Sequence, residues 1–115
     1  MRVIEHHMVQ AFKKCVHGNL SRYRTGNTSV WCEGTKVCIS LHGNTIITHD
    51  ITCPNEYFFD TCGWHTRTTF SRMNTFAHIM GIDVRFYTNK HISFVRDRGQ
   101  DHKLFGSYLY KGKTQ

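Results

Sequence analysis

The sequence predicts an α+β fold in a single domain spanning residues 1–115, with an antiparallel sheet of about five or six strands and two helices. Three observations carry that expectation. The chain has 115 residues, 39% of them hydrophobic, and one proline, Pro54, a composition that suits one compact core rather than disorder or a proline-rich linker. Apolar residues recur at helical spacing in two stretches, about 3–16 and about 66–80. Elsewhere, in central hairpins at 29–61 and C-terminal strands at 82–110, the period falls to two and glycine or asparagine marks the breaks.

In the first helix Ile4, Met8, Ala11, Phe12, Cys15 and Val16 form one apolar stripe, and His17-Gly18-Asn19 ends it. Lys13 and Lys14 fall in its last turn, where the helix dipole favours cations. A strand at 29–33 then turns through Gly34. Val37, Ile39 and Leu41 alternate with Lys36, Cys38, Ser40 and His42, and Gly43-Asn44 supplies a two-residue hairpin turn. That turn pairs His42 with Thr45, which sets Leu41 opposite Ile46 and Ile39 opposite Thr48, with Ser40 opposite Ile47 and Cys38 opposite His49 on the other face. A further strand at 56–61 follows the Pro54-Asn55 break.

The second helix carries Phe70, Met73, Ala77 and Met80 in one stripe, Phe76 and Ile79 beside it, and Gly81 as its stop. Residues 82–87 and 91–95 read as a strand pair. A two-residue loop sets Phe86 opposite Ser93; a three-residue loop, Asn89-Lys90-His91, sets Phe86 opposite Phe94 and Thr88 opposite Ile92, and is preferred. His91 then takes the left-handed position, which histidine tolerates better than most residues. Residues 96–102 form a charged loop, 103–110 a last strand, and 111–115 a frayed tail.

Fifteen Lys and Arg against eight Asp and Glu give a formal charge of +7, with the excess in residues 1–32 and 61–115 and a net acidic middle. Such a field steers a protein toward polyanions, above all nucleic acid, and also keeps it soluble. Five cysteines, Cys15, Cys32, Cys38, Cys53 and Cys62, are odd in number and contain no C-x-x-C pair, so free thiols are expected. No run is long and apolar enough for a membrane helix, and the first residues lack an apolar signal core, which points to the cytoplasm.

The segment Cys62-Gly63-Trp64-His65-Thr66-Arg67-Thr68-Thr69-Phe70-Ser71-Arg72 enters the second helix. Helix-start N–H groups, the hydroxyls of Thr66, Thr68 and Thr69, and the cations Arg67 and Arg72 have the chemistry of a phosphate site, and Trp64 can stack on a base. Thr66 or Thr68 is equally an ordinary N-cap, and a tryptophan beside a helix start is often core. Basic residues also alternate with aromatics at Arg22-Tyr23-Arg24 and Arg85-Phe86-Tyr87, near Arg96 and Arg98. Gathered on one face, these arginines would form a surface for a nucleic-acid backbone, although no RNP, helix-turn-helix or zinc-finger pattern is present. Cys38 and His49, opposite one another in the expected register, fall short of the four ligands of a structural zinc site. With no Walker loop, G-x-G-x-x-G or H-E-x-x-H, neither a cofactor nor a catalytic set is expected.

The runs Leu41-His42-Gly43-Asn44-Thr45-Ile46, Gly63-Trp64-His65-Thr66-Arg67-Thr68-Thr69 and Ser71-Arg72-Met73-Asn74 resemble small proteins encoded by bacteriophages, over about residues 29–81. The resemblance implies a biological setting, the cytoplasm of a host cell, and no catalytic residues. It implies a non-enzymatic accessory protein that binds nucleic acid or a nucleoprotein complex. The alternative is a stoichiometric inhibitor of a host enzyme or defence complex, acting through an apolar patch bearing Trp31, Trp64 or Tyr108. A DNA mimic needs dense negative charge, which this chain lacks. A small hydrolase or nuclease using His42, His49 or His65 has the least behind it. Oligomeric state is left open.

Overall fold

Helix α1 (Val3–Val16) buries Met8, Ala11, Phe12 and Cys15 of the expected stripe, leaves Ile4 and Val16 half-buried, and adds Val9 and one carboxylate, Glu5. It ends where expected: Gly18 takes φ 75°, and the N–H groups of His17, Gly18 and Asn19 donate to the carbonyls of Lys13, Cys15 and Lys14. The structure, a computed structural model, describes residues 3–112; of the expected frayed tail, residues 113–115 lie outside the described residues.

Five strands follow: β1 (Arg22–Thr25), β2 (Thr28–Glu33), β3 (Lys36–Leu41), β4 (Asn44–Asp50) and β5 (Glu56–Asp60). With β9 (Ser107–Lys111) they form a six-stranded antiparallel sheet in the order β1-β2-β3-β4-β5-β9. Strand β1 is not among the expected strands, since Arg22-Tyr23-Arg24 reads in the sequence only as a basic–aromatic cluster. The β3–β4 register also differs from expectation. The turn is His42-Gly43, with φ 53° and 81°, and Leu41 pairs with Asn44, Ile39 with Ile47, Cys38 with Thr48 and Val37 with His49. A two-residue turn of this hand needs positive φ at both central residues, and histidine accepts that better than the β-branched alternatives. The one-residue surplus is absorbed by a bulge opposite Ile39/Ser40, which allows the consecutive Ile46 and Ile47 both to be buried.

Helix α2 (Arg67–Met80) is capped by Thr66, whose hydroxyl accepts the Thr69 N–H at 3.2 Å, and stopped by Gly81 at φ 72°. It leads into a separate three-stranded antiparallel sheet of β6 (Val84–Asn89), β7 (Ile92–Asp97) and β8 (Gln100–Lys103). Its first hairpin uses the two-residue loop Lys90-His91, with φ 51° and 66°, so Phe86 pairs with Val95, Tyr87 with Phe94 and Thr88 with Ser93. The expected three-residue loop is therefore corrected by one residue, while His91 does take a left-handed conformation. Strand β8 lies in the expected charged loop; all four of its residues are exposed, so it carries no hydrophobic alternation to read.

Both helices cover one face of the large sheet, and a chain of aromatic rings ties the layers together. Phe76 of α2 meets Phe12 of α1 edge-on at 4.8 Å and Phe59 of β5 at 6.2 Å, while Phe59 meets Phe86 of β6 at 4.9 Å. Two polar clasps add direction. Glu5 accepts hydrogen bonds from Ser71, Arg72 and Thr75, locking α1 to α2. The Asn74 amide pairs with both the N–H and the carbonyl of Phe86, at 2.7 and 2.8 Å, locking α2 to the edge of the small sheet.

Candidate nucleic-acid interface

Between β5 and α2 the chain makes a tight turn in which Cys62 and Gly63 have φ 54° and 83°. The Asp60 carboxylate accepts the Cys62 N–H at 2.9 Å, and the Trp64 N–H donates to the Thr61 carbonyl at 2.9 Å. The turn thrusts Trp64 outward, 59% exposed. Facing it is the β3–β4 turn, and the two enclose a cleft of about 460 Å³. Leu41 and Ile46 give it an apolar floor, Trp64 a wall, and His42, Asn44, Thr61, Thr66, Thr68 and Thr69 the remaining lining. Two of the three runs singled out in the sequence thus meet at one place, although 20 or so residues separate them. The third, Ser71-Arg72-Met73-Asn74, supplies the two clasps of the core instead.

The small sheet buries Val84, Phe86 and Val95 against α2 and the core, which leaves the alternate residues facing outward. By register, Arg85, Tyr87 and Asn89 lie beside Ile92, Phe94 and Arg96, and these beside Asp101 and Lys103. Tyr87 and Phe94 stack at 5.4 Å with 19° between planes. The Arg96 guanidinium sits 5.6 Å above the Tyr87 ring and bonds Asp101 at 2.8 and 3.2 Å. Beyond β8, Phe105 is 84% exposed, with the Lys103 ammonium 5.7 Å from its ring. The Arg96 guanidinium and the Tyr87 hydroxyl hold the Asp101 carboxyl below the usual range. The same hydrogen bond to Asp101, helped by desolvation, raises the Tyr87 phenol. Arg85 also lines a polar groove of about 400 Å³ along α2, with Ser71, Asn74, Thr75 and His78.

The seven arginines named from the sequence do not share one face. Arg85 and Arg96 are brought directly opposite each other. Arg67 is exposed at the start of α2, near the cleft. Arg22 and Arg24 lie on the open face of the large sheet, where Arg22 pairs in register with Trp31. Arg98 is held by Asp97 at 2.8 Å and by the Lys111 carbonyl, over the Tyr110 ring at 4.8 Å. Arg72 is 3% exposed and bonded to Glu5 at 2.7 Å, so it faces the core and not the cleft.

The Cys38–His49 pair is likewise separated. With Cys38 opposite Thr48, Cys38 falls on the open face, while His49 packs inward, stacked on Tyr57 at 4.3 Å and bonded to the Glu56 carbonyl. Burial pushes the Cys62 thiol up, and burial together with the neighbouring Cys32 pushes Cys15 up to about 11, away from the nucleophilic thiolate form. Sequence reasoning missed Phe94, Lys103 and Phe105. Alternation at Ile92, Phe94 and Arg96 was the available signal, hidden by the one-residue difference in the loop.

No helix among the described residues is long and apolar enough to cross a membrane. A family model described as Kyanoviridae Gp96 protein matches residues 1–114. No curated protein and no solved structure matches the chain.

Proposed function

Since the chain belongs to the Kyanoviridae Gp96 family of phage-encoded proteins, we propose that it is an accessory protein that binds single-stranded nucleic acid across the open face of β6, β7 and β8. The observation that carries this reading is the direct opposition of Arg85 and Arg96 beside the Tyr87–Phe94 stack. Like charges placed opposite one another on a sheet repel, and only Arg96 has a carboxylate beside it among the described residues. A phosphodiester backbone relieves that repulsion, and the half-buried rings of Tyr87 and Phe94 accept bases of any sequence. A single strand fits better than a duplex, because only unpaired bases can lie flat on rings.

Fluorescence anisotropy with labelled single- and double-stranded oligonucleotides over a salt series tests the reading. Tight, salt-sensitive binding of the single strand is expected, with the log–log slope reduced by about 0.7 for each phosphate contact removed in Arg85→Ala or Lys103→Ala. Absence of binding at low salt overturns it.

A second reading, an inhibitor of a host protein, is supported by the open face of the large sheet. There Arg22, Trp31, Cys38, Thr48, Phe58 and Leu109 form one row across all six strands, with Phe58 38% and Leu109 44% exposed. Phe58 and Leu109, with half-buried Trp31, give this row an apolar part that suits a protein surface, while Cys38 within it is buried. If host growth arrest by the expressed protein is lost in Trp31→Ala/Phe58→Ala and kept in Arg85→Ala, this second reading holds.

A further inference from the structure

We propose that the cleft beneath Trp64 is a nucleobase site, which receives one base of the strand lying on the small sheet. The inference deepens the strand-binding reading and rests on it for the source of the base.

The lining fits a flat, uncharged ring with a polar edge. Leu41 and Ile46 supply an apolar floor, and the Trp64 indole, 59% exposed, supplies a face on which a ring can stack. A volume of about 460 Å³ lies within the usual range for small-molecule sites. No carboxylate or ammonium side chain lines it, so a charged head group finds no counter-ion in its walls.

Hydrogen-bonding capacity is left at the rim. The Thr66 and Thr69 hydroxyls are 3.0 Å apart and Thr66 caps the helix, so both are engaged. Asn44 and Thr68 have no side-chain hydrogen bond among the described residues, and both line the cleft. An asparagine amide presents a donor beside an acceptor, the pattern that matches the edge of a base. His42, 3.3 Å from the Asn27 amide, stands at the same rim.

The cleft is also tied to the small sheet, through its buried face. The Thr61 N–H donates to the Gly106 carbonyl at 2.8 Å, and His65 Nδ1 lies 2.6 Å from the Ser93 hydroxyl. These bonds join the loop bearing Trp64 to the buried face of β7 and to the residue that follows exposed Phe105. On this proposal a strand that leaves the small sheet past Phe105 runs on to Trp64, and a base already unpaired needs only to unstack to enter.

The test uses the full chain in a Trp31→Phe background, which leaves Trp64 as the sole indole. An intact oligonucleotide and a fully abasic strand of equal length are titrated, with indole fluorescence and anisotropy read together. The intact strand is expected to quench Trp64 and the abasic strand to bind without quenching. Trp64→Ala, which truncates an exposed side chain and so keeps the fold, is expected to weaken the intact strand roughly tenfold and leave the abasic strand unchanged. If the intact strand binds with no quenching and no effect of Trp64→Ala, the base site is overturned and strand binding stands. If neither strand binds yet free nucleosides quench Trp64 saturably, the base site stands and strand binding falls. A saturable change in Trp64 fluorescence with N-acetylphenylalaninamide but none with nucleosides overturns the base site in favour of a protein aromatic.

Discussion

The two sheets each bury one face and leave the other open, but the open faces differ in charge. On the six-stranded sheet Arg22, Arg24, Lys36 and Lys111 are matched by Glu33, Asp50, Glu56 and Asp60 around the apolar row through Trp31. On the three-stranded sheet Arg85, Arg96 and Lys103 face only Asp101, around stacked rings. The larger face is balanced and the smaller is cationic. A net charge of +7 therefore says little about where a polyanion would dock; register decides which charges meet. It also matters that Arg72 and Arg98 are held by carboxylates and so add to the total without adding to a free surface.

The largest expected effect comes from the charge that belongs to neither face. Arg72→Ala leaves Glu5 buried without its guanidinium partner, although Ser71 and Thr75 still donate to it. Breaking a buried pair in this way costs about 3–5 kcal/mol. Urea denaturation is expected to show that loss, while strand affinity of the folded protein at low temperature stays at the wild-type value. A strand affinity that fell with Arg72 would place it in the interface and break the distinction between core and surface arginines.

The next effect separates the two faces. Removing one stacking ring is expected to weaken strand binding by about 1–3 kcal/mol. Phe94→Ala is the sharper variant, with Tyr87→Ala in the same direction, and Trp31→Ala on the balanced face is expected to change nothing in the same anisotropy titration. Equal losses from Phe94→Ala and Trp31→Ala would mean that surface aromatics alone, not their cationic setting, attract the strand.

Both helices were legible from the sequence to within a residue or so, because apolar periodicity and the glycine stops at Gly18 and Gly81 leave few alternatives. Hairpins were legible as hairpins, and the turn through Gly34 falls where expected, but the β3–β4 and β6–β7 turns were misplaced by one residue. The expected turn was Gly43-Asn44 and the expected loop Asn89-Lys90-His91, whereas the structure puts positive φ at His42-Gly43 and at the consecutive non-glycine residues Lys90-His91, a pairing that non-glycine residues seldom adopt. In a sheet, one residue moves a side chain to the other face, which is why the Cys38–His49 pairing failed. The cleft was half visible: its helix-start wall stood out, whereas its floor from β3 and β4 needed the tertiary structure.

The smallest expected effect bears on whether charge imbalance itself defines the small face. Asp101 is the carboxylate there, bonded by both Arg96 and Tyr87, and its carboxyl is held below the usual range. A depressed carboxyl contributes stability that is present above its unfolded value, about 3.9, and is lost as pH falls through the lower folded value. Asp101 thus stays ionised through the neutral range, and strand affinity is expected to be level between about pH 5 and pH 8 as far as this group is concerned. Asp101→Asn removes the negative charge and unties Arg96, so affinity is expected to rise a few-fold and the salt slope to steepen. A fall in affinity would mean that Asp101 serves the face by aiming Arg96 and Tyr87, and orientation would then outweigh net charge in setting it apart from the balanced sheet.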